Sequence, residues 1–122
     1  MPRSSPELSA VLASLVCRVP GAVAALLLDP SGVPLAWSHG DTSGLEAPAD
    51  RLLAFLRRTL EVAERLDQGP VGDVLLEAER RMLALIPLRD GCCLLLLVRP
   101  AAPPGRVLFE ARRAAVALTR VL

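Results

Sequence analysis

Lysine, tyrosine and asparagine are missing from this chain, and all fourteen of its basic residues are arginine. A phosphate-cradling P-loop needs a lysine to reach the phosphates, so the chain is not itself a P-loop GTPase or ATPase. Aromatic residues are scarce: Phe55, Phe109 and Trp37 are the full set, too few for a base-stacking platform. The net charge of +1 leaves no electrostatic footprint for nucleic acid. One histidine and three cysteines make a poor zinc donor set. Cys92 and Cys93 are adjacent in an apolar run that reads as a strand, where neighbouring side chains point to opposite faces and do not share a metal easily. An odd cysteine count argues against a disulfide framework, and Cys17, Cys92 and Cys93 read as small buried hydrophobes. The longest apolar runs, residues 22–28 and 92–98, fall well short of the ~18 residues of a membrane span. Arg3 and a short apolar stretch open the chain, but Glu7 interrupts them and no cleavage site follows, so a signal peptide is rejected and a cytoplasmic protein is expected. The missing residue types, with the excess of Ala, Pro and Gly, read as codon bias rather than chemistry.

What is present is a large hydrophobic fraction, 52% of 122 residues, too much for disorder and enough for one domain spanning residues 1–122. The chain is organised around residues 46–68, EAPADRLLAFLRRTLEVAERLDQ. Pro48 suits a first helical turn, and Ala, Leu, Arg and Glu favour helix through the interior. Ala49, Leu52, Leu53, Leu56, Leu60 and Ala63 form one apolar stripe. Phe55, Thr59, Val62 and Leu66 form a second, about 100° round the helix. Together they span about half the circumference, wider than contact with a single sheet usually needs. Asp50, Arg51, Arg57, Arg58, Glu61, Glu64 and Arg65 fill the remaining face. One stripe is expected to cover the chain's own sheet and the other to meet a second protein.

Around this helix the chain reads in order. Ser5-Pro6-Glu7 opens a helix over residues 6–18 with Leu8, Val11, Leu12, Leu15, Val16 and Val19 on one face. Pro20-Gly21 stops it. Residues 22–29 and 33–38 form a hairpin across the turn Asp29-Pro30-Ser31-Gly32, with Pro34 keeping the second strand near an edge. Strands follow at 72–79, 82–88 and 92–98, the last apolar on both faces and therefore central. A helix near 105–121 closes the order, with Val107, Leu108, Ala111, Ala115, Leu118 and Leu122 on its buried face. Tight turns make neighbouring strands antiparallel. The fold expected is α/β: a five-stranded antiparallel sheet with the central helix on one face and the two terminal helices on the other.

No stretch carries convincing chemistry. The loop His39-Gly40-Asp41-Thr42-Ser43-Gly44 sets His, Asp and Ser side by side, too close in sequence for a triad's geometry, and it is not the Gly-x-Ser-x-Gly elbow. It also resembles an aspartic-protease Asp-Thr-Gly with one residue inserted, a motif of nearly all-β folds that the long helix contradicts. Turn and cap duties fit better, with Asp41 or Thr42 at the entry to the helix. Asp73, Glu77 and Glu79 share a strand face and are expected to be a solvated edge pairing with Arg80, Arg81 or a partner's arginines, rather than a metal site. Trp37 is either an exposed anchor or a core filler. No catalytic residue, cofactor or metal is expected.

The run VPGAVAALLLDPSGVPLA at residues 19–36, the Ala/Leu/Arg/Glu-rich helix, VLLE at 74–77, MLALIPL at 82–88 and GCCLLLLV at 91–98 together resemble the Roadblock family of dynein-associated light chains, including its bacterial MglB-like members. The resemblance covers nearly the whole chain and rests on order and lengths, and longin- and profilin-like domains share parts of it. It implies a homodimer whose middle helices pack together and whose third strands extend one sheet across the pair, placing Val74 and Leu76 beside Phe55, Thr59, Val62 and Leu66 at the seam. It also implies non-enzymatic binding of a small Ras-like GTPase. The residues expected to meet that partner are Arg51, Arg57, Arg58, Glu61 and Arg65, with Glu61 four residues from both Arg57 and Arg65. Neither nucleic acid nor membrane is expected as a partner. The alternative is a small-molecule-sensing domain of profilin-like fold holding a ligand between sheet and helix. The almost purely aliphatic core segments favour the GTPase binder, because a sensor needs polar groups in an apolar pocket.

Overall fold

The computed structural model describes residues 6–38 and 49–122. Its elements are α1 (Pro6–Arg18), β1 (Ala22–Leu28), β2 (Pro34–Trp37), α2 (Ala49–Arg65), β3 (Val74–Glu77), β4 (Met82–Pro87), a 3-10 turn (Arg89–Gly91), β5 (Cys93–Val98) and α3 (Pro104–Val121). The strands form one antiparallel sheet in the order β2-β1-β5-β4-β3. The strand that reads as apolar on both faces, β5, lies at its centre. The proline-bearing β2 lies at one edge, where a missing N–H costs no ladder bond.

Strand alternation sends each β residue to one of two cores. Ala25, Leu27, Ala84, Ile86, Leu94 and Leu96 face α1 and α3, which bring Leu8, Leu12, Leu15, Val107, Ala111 and Leu118 against them. Ala24, Leu26, Leu28, Leu85, Cys93 and Leu95 face α2, which brings Ala49, Leu53 and Leu56. Cys92 and Cys93 divide between the two cores, as adjacent strand residues must. The result is the three-layer α/β sandwich read from the sequence.

Two local structures fix where α2 sits. Between β1 and β2, one carboxylate oxygen of Asp29 accepts bonds from the Ser31 and Val33 amides at 2.8 and 2.9 Å. Gly32 has φ +85°, and a Cβ there would stand 2.9 Å from the Asp50 Cα at the start of α2. The turn and the helix therefore touch backbone to backbone, which only glycine permits. Arg57 adds a hydrogen bond to the Pro30 carbonyl.

At the far end, α2 stops at Arg65, short of residue 68 and of the Gly69-Pro70 breaker that follows it. Asp67 takes a left-handed φ of 55°. The Gln68 amide bonds to the Ala63 carbonyl and the Asp67 amide to that of Glu64, each at 3.0 Å, the paired bonds of a Schellman cap. Asp fills the position usually given to glycine, which its short polar side chain tolerates. Strand β3 is also shorter than residues 72–79, because Gly72, Asp73, Ala78 and Glu79 fall outside the ladder. The proposed cap residues Asp41 and Thr42, Pro48 and the loop His39 to Gly44 lie outside the described residues.

Candidate functional site

Helix α2 presents the two stripes separately. Ala49, Leu53 and Leu56 are buried against the sheet, with Leu52 and Leu60 packed partly against the same core. The second stripe stays in solvent: Phe55 is 43% exposed, Val62 48% and Leu66 63%. Thr59 completes it, and its hydroxyl donates to the Phe55 carbonyl at 2.9 Å, so the stripe gains no unsatisfied polar group there. On edge strand β3, Val74 packs against the α2-side core, and Leu76, two residues on and on the same face, is 38% exposed. The six residues assigned to a seam thus lie on the α2 side of the sheet, four of them exposed.

The charged residues frame this apolar strip. Arg51, Arg57, Arg58 and Glu61 line a shallow hollow of about 560 Å³ with Phe55. Arg58, Glu61 and Arg65 line a smaller one with Val62. Glu61 pairs with Arg58 at 3.8 Å rather than with Arg57 or Arg65, and side chains that are 81% and 58% exposed make this a weak bond. Arg57 is turned toward the Pro30 carbonyl. The structure therefore brings the five charged candidates to the same helix surface as the apolar strip.

A family model for the Roadblock/LC7 domain matches residues 8–98. The chain belongs to the Roadblock/LC7 family. Its fold is similar to a Roadblock/LC7 domain from Streptomyces avermitilis, with 23% identity over 94% of this chain and 97% of that one and a TM-score of 0.82. It is also similar to the gliding protein MglB of Thermus thermophilus, with 24% identity, coverage of 99% and 92% and a TM-score of 0.84. Myxococcus xanthus MglB superposes with a TM-score of 0.85 at 14% identity, covering 98% and 97% of the two chains. No curated protein matches the sequence significantly.

Several sequence readings of this Roadblock chain need correction. Cys17 is exposed on α1, not buried, whereas Cys92 and Cys93 are buried as expected. Burial pushes the Cys93 thiol up to about 12 and raises that of Cys92, to which the carboxylates of Asp29 and Asp90 also contribute. Asp73 does not pair with Arg80 or Arg81: its carboxylate meets Arg112 of α3 at 2.6 Å, tying β3's entry to the opposite layer. Leu75, between Asp73 and Glu77 on the same face, packs against the α1/α3 core, so that face is not the wholly solvated edge expected. Trp37 stands between the two readings offered for it, 37% exposed and paired in register with Leu26.

Among the described residues, no His, Cys, Asp and Glu side chains gather in threes to hold a metal ion. Nor is any described helix long and apolar enough to cross a membrane. Sequence reasoning missed the outer face of α3, where Phe109 and Val116 are exposed. Their spacing of seven residues, off the buried stripe, was the available signal.

Proposed function

We propose that this chain is a homodimeric, non-enzymatic regulator or platform that binds a small Ras-like GTPase in the cytoplasm, acting as one Roadblock-like domain over residues 1–122. The observation that carries the reading is the second stripe of α2. Phe55, Val62 and Leu66 remain exposed on a helix whose first stripe already satisfies the sheet. Contiguous apolar surface of this kind marks an interaction face. Strand β3 supports it, because an unpaired edge carrying Leu76 invites another strand, and pairing with its two-fold mate removes the edge. The charges around the stripe do not oppose a second copy, which the apolar residues would hold: Arg51, Arg57, Arg58 and Arg65 alternate with Asp50, Glu61 and Glu64, a mixed-sign surface that sets little net repulsion across a two-fold axis. The nucleotide belongs to the partner, since this chain has no P-loop lysine.

The sensor reading needs a cavity between α2 and the sheet. Ala49, Leu53 and Leu56 pack against Leu26, Leu28, Leu85 and Leu95, and the hollow of about 500 Å³ on this side lies at the end of α2, lined by Leu60, Glu64, Asp67 and Pro87, beyond that packed core. GTPase binding is the better supported reading.

The test is calorimetric titration with a small Ras-like GTPase encoded nearby, loaded with a non-hydrolysable GTP analogue. Wild type binds. Reversing Arg57 and Arg58 to Glu weakens binding and slows association, by roughly tenfold at low salt, while the dimer persists. Arg58→Glu alone is the cleaner variant, because Arg57 also holds the Pro30 carbonyl of the β1–β2 turn. Absence of wild-type binding refutes the function, and unchanged affinity in the double reversal removes these arginines from the site.

A further inference from the structure

The α1/α3 layer carries a second exposed apolar strip that the α2 reading does not use. Phe109 and Val116 are 57% and 56% exposed and stand about two turns apart on the outer face of α3. Beside them a groove of about 340 Å³ runs between the helices. Ala10 and Ser14 of α1 and Ala114 and Ala117 of α3 line it, side chains small enough to admit the knobs of another helix, together with the charged Arg18, Glu110 and Arg113.

The electrostatics of this surface differ from those of α2. Helices α1 and α3 carry five arginines, Arg18, Arg106, Arg112, Arg113 and Arg120, against two carboxylates, Glu7 and Glu110. Glu110 is 4% exposed and lies 3.5 Å from Arg113, so it offers little negative charge to solvent. Arg112 is neutralised by Asp73. The Arg113 guanidinium sits 5.9 Å from the centre of the Phe109 ring, which sets a cation directly on the apolar strip. Arg106 donates to the Arg18 carbonyl at 3.5 Å, which brings the chain's Arg18 and Arg106 together where α1 ends and α3 begins.

We propose that the α1/α3 groove docks an acidic amphipathic helix from a different protein. Apolar residues of that helix at i, i+3, i+4 and i+7 cover Phe109 and Val116 and enter the groove, and its flanking carboxylates meet Arg18, Arg106, Arg113 and Arg120. A second copy docked through the same face is disfavoured, because each protomer brings arginines and only Glu7 as an exposed carboxylate on these two helices. The proposal goes beyond GTPase binding, and the sheet separates the two surfaces.

The probe is a fluorescein-labelled synthetic helix with leucine at the i, i+3, i+4 and i+7 positions and glutamate elsewhere, titrated by anisotropy against the full chain. Controls are the same helix with lysine for glutamate, and vesicles of phosphatidylserine in phosphatidylcholine. The glutamate helix binds, weakens as salt rises, and loses at least about tenfold in affinity with Val116→Glu or Arg120→Glu, while the lysine helix does not bind. Both variants keep the chain's solution mass and its GTPase titration, so failure here is distinguishable from failure of the α2 reading. No binding of the glutamate helix, equal binding of the lysine helix, or insensitivity to both variants overturns the proposal. So does recruitment of the chain to vesicles without helix binding, which makes the surface a lipid contact. A fall in solution mass on Val116→Glu also overturns it, by making the strip an interface between copies.

Discussion

Replacing Phe55 by Arg is the sharpest test of the α2 stripe. Phe55 is 43% exposed. With roughly 200 Å² of surface on a phenylalanine, about 85 Å² is left for a partner to cover. At ~25 cal/mol/Å² that area contributes about 2 kcal/mol per protomer. A two-fold axis counts it twice, so truncation alone costs about 4 kcal/mol, about a thousandfold in dissociation constant. An arginine adds the desolvation of its guanidinium to that loss. The fold should survive, because Leu53 and Leu56, which hold α2 to the sheet, are untouched. Light scattering at micromolar concentration is expected to give about twice the 13.0 kDa protomer mass for wild type and the protomer mass for Phe55→Arg. The wild-type melting temperature should rise with protein concentration and the variant's should not, since association stabilises only the species that associates. A wild type that is monomeric at micromolar concentration refutes the reasoning, as does a dimer that withstands Phe55→Arg.

Asp29→Ala removes the acceptor of two amide bonds in the β1–β2 turn and should lower stability by about 1–2 kcal/mol, read from urea unfolding. Gly32→Ala should cost at least ~1 kcal/mol, since the new Cβ meets Asp50 backbone at an unfavourable φ; an unchanged urea midpoint would contradict that contact. Ellman's reagent should titrate one thiol, Cys17, in the native chain and all three only after unfolding. Stability should fall as pH rises from 9 toward 12, by up to about 1.4 kcal/mol per unit from Cys93, because the unfolded thiol ionises near 9.0 while the folded one holds its proton to about 12. With no lysine or tyrosine titrating in that window, Cys93→Val should visibly flatten the profile, and an identical profile would refute the assignment.

The features legible in the sequence were those set by local pattern. The doubly apolar run at 92–98 placed β5 at the centre, Pro34 placed β2 at an edge, and the two stripes of α2 separated into a buried and an exposed set. Long-range pairing was not legible. Nothing in the spacing of Asp73 points to Arg112, 39 residues away on another layer. The α2 terminus was misplaced because a glycine-proline breaker is conspicuous, whereas an aspartate in the left-handed position depends on the two capping bonds around it. Cys17 was misread for a different reason. Counted at about 100° per residue from Leu8, it falls opposite the Leu8-Leu12-Leu15 stripe. Periodicity therefore already placed it outside, and the general tendency of cysteine to be buried was the weaker guide.

The contrast between the two exposed strips follows from the layers of the fold. Both outer layers must turn apolar residues inward, but neither must turn any outward, so Phe55, Val62 and Leu66 on one side and Phe109 and Val116 on the other are surplus to folding. Their surroundings separate their uses. Around the α2 strip, arginines alternate with carboxylates, and a surface of mixed sign can meet its own copy without net repulsion. Around the α3 strip the exposed charge is almost wholly positive, so the same operation sets like charges together and a partner of opposite sign is favoured. A dimer formed through α2 and β3 leaves both α1/α3 grooves on its outer surfaces, since the sheet lies between. Self-association through α2 and docking of a helix on the α1/α3 groove therefore do not compete for the same residues. That separation fits the platform role proposed above, on a scaffold whose two cores, one on each face of the sheet, are both aliphatic.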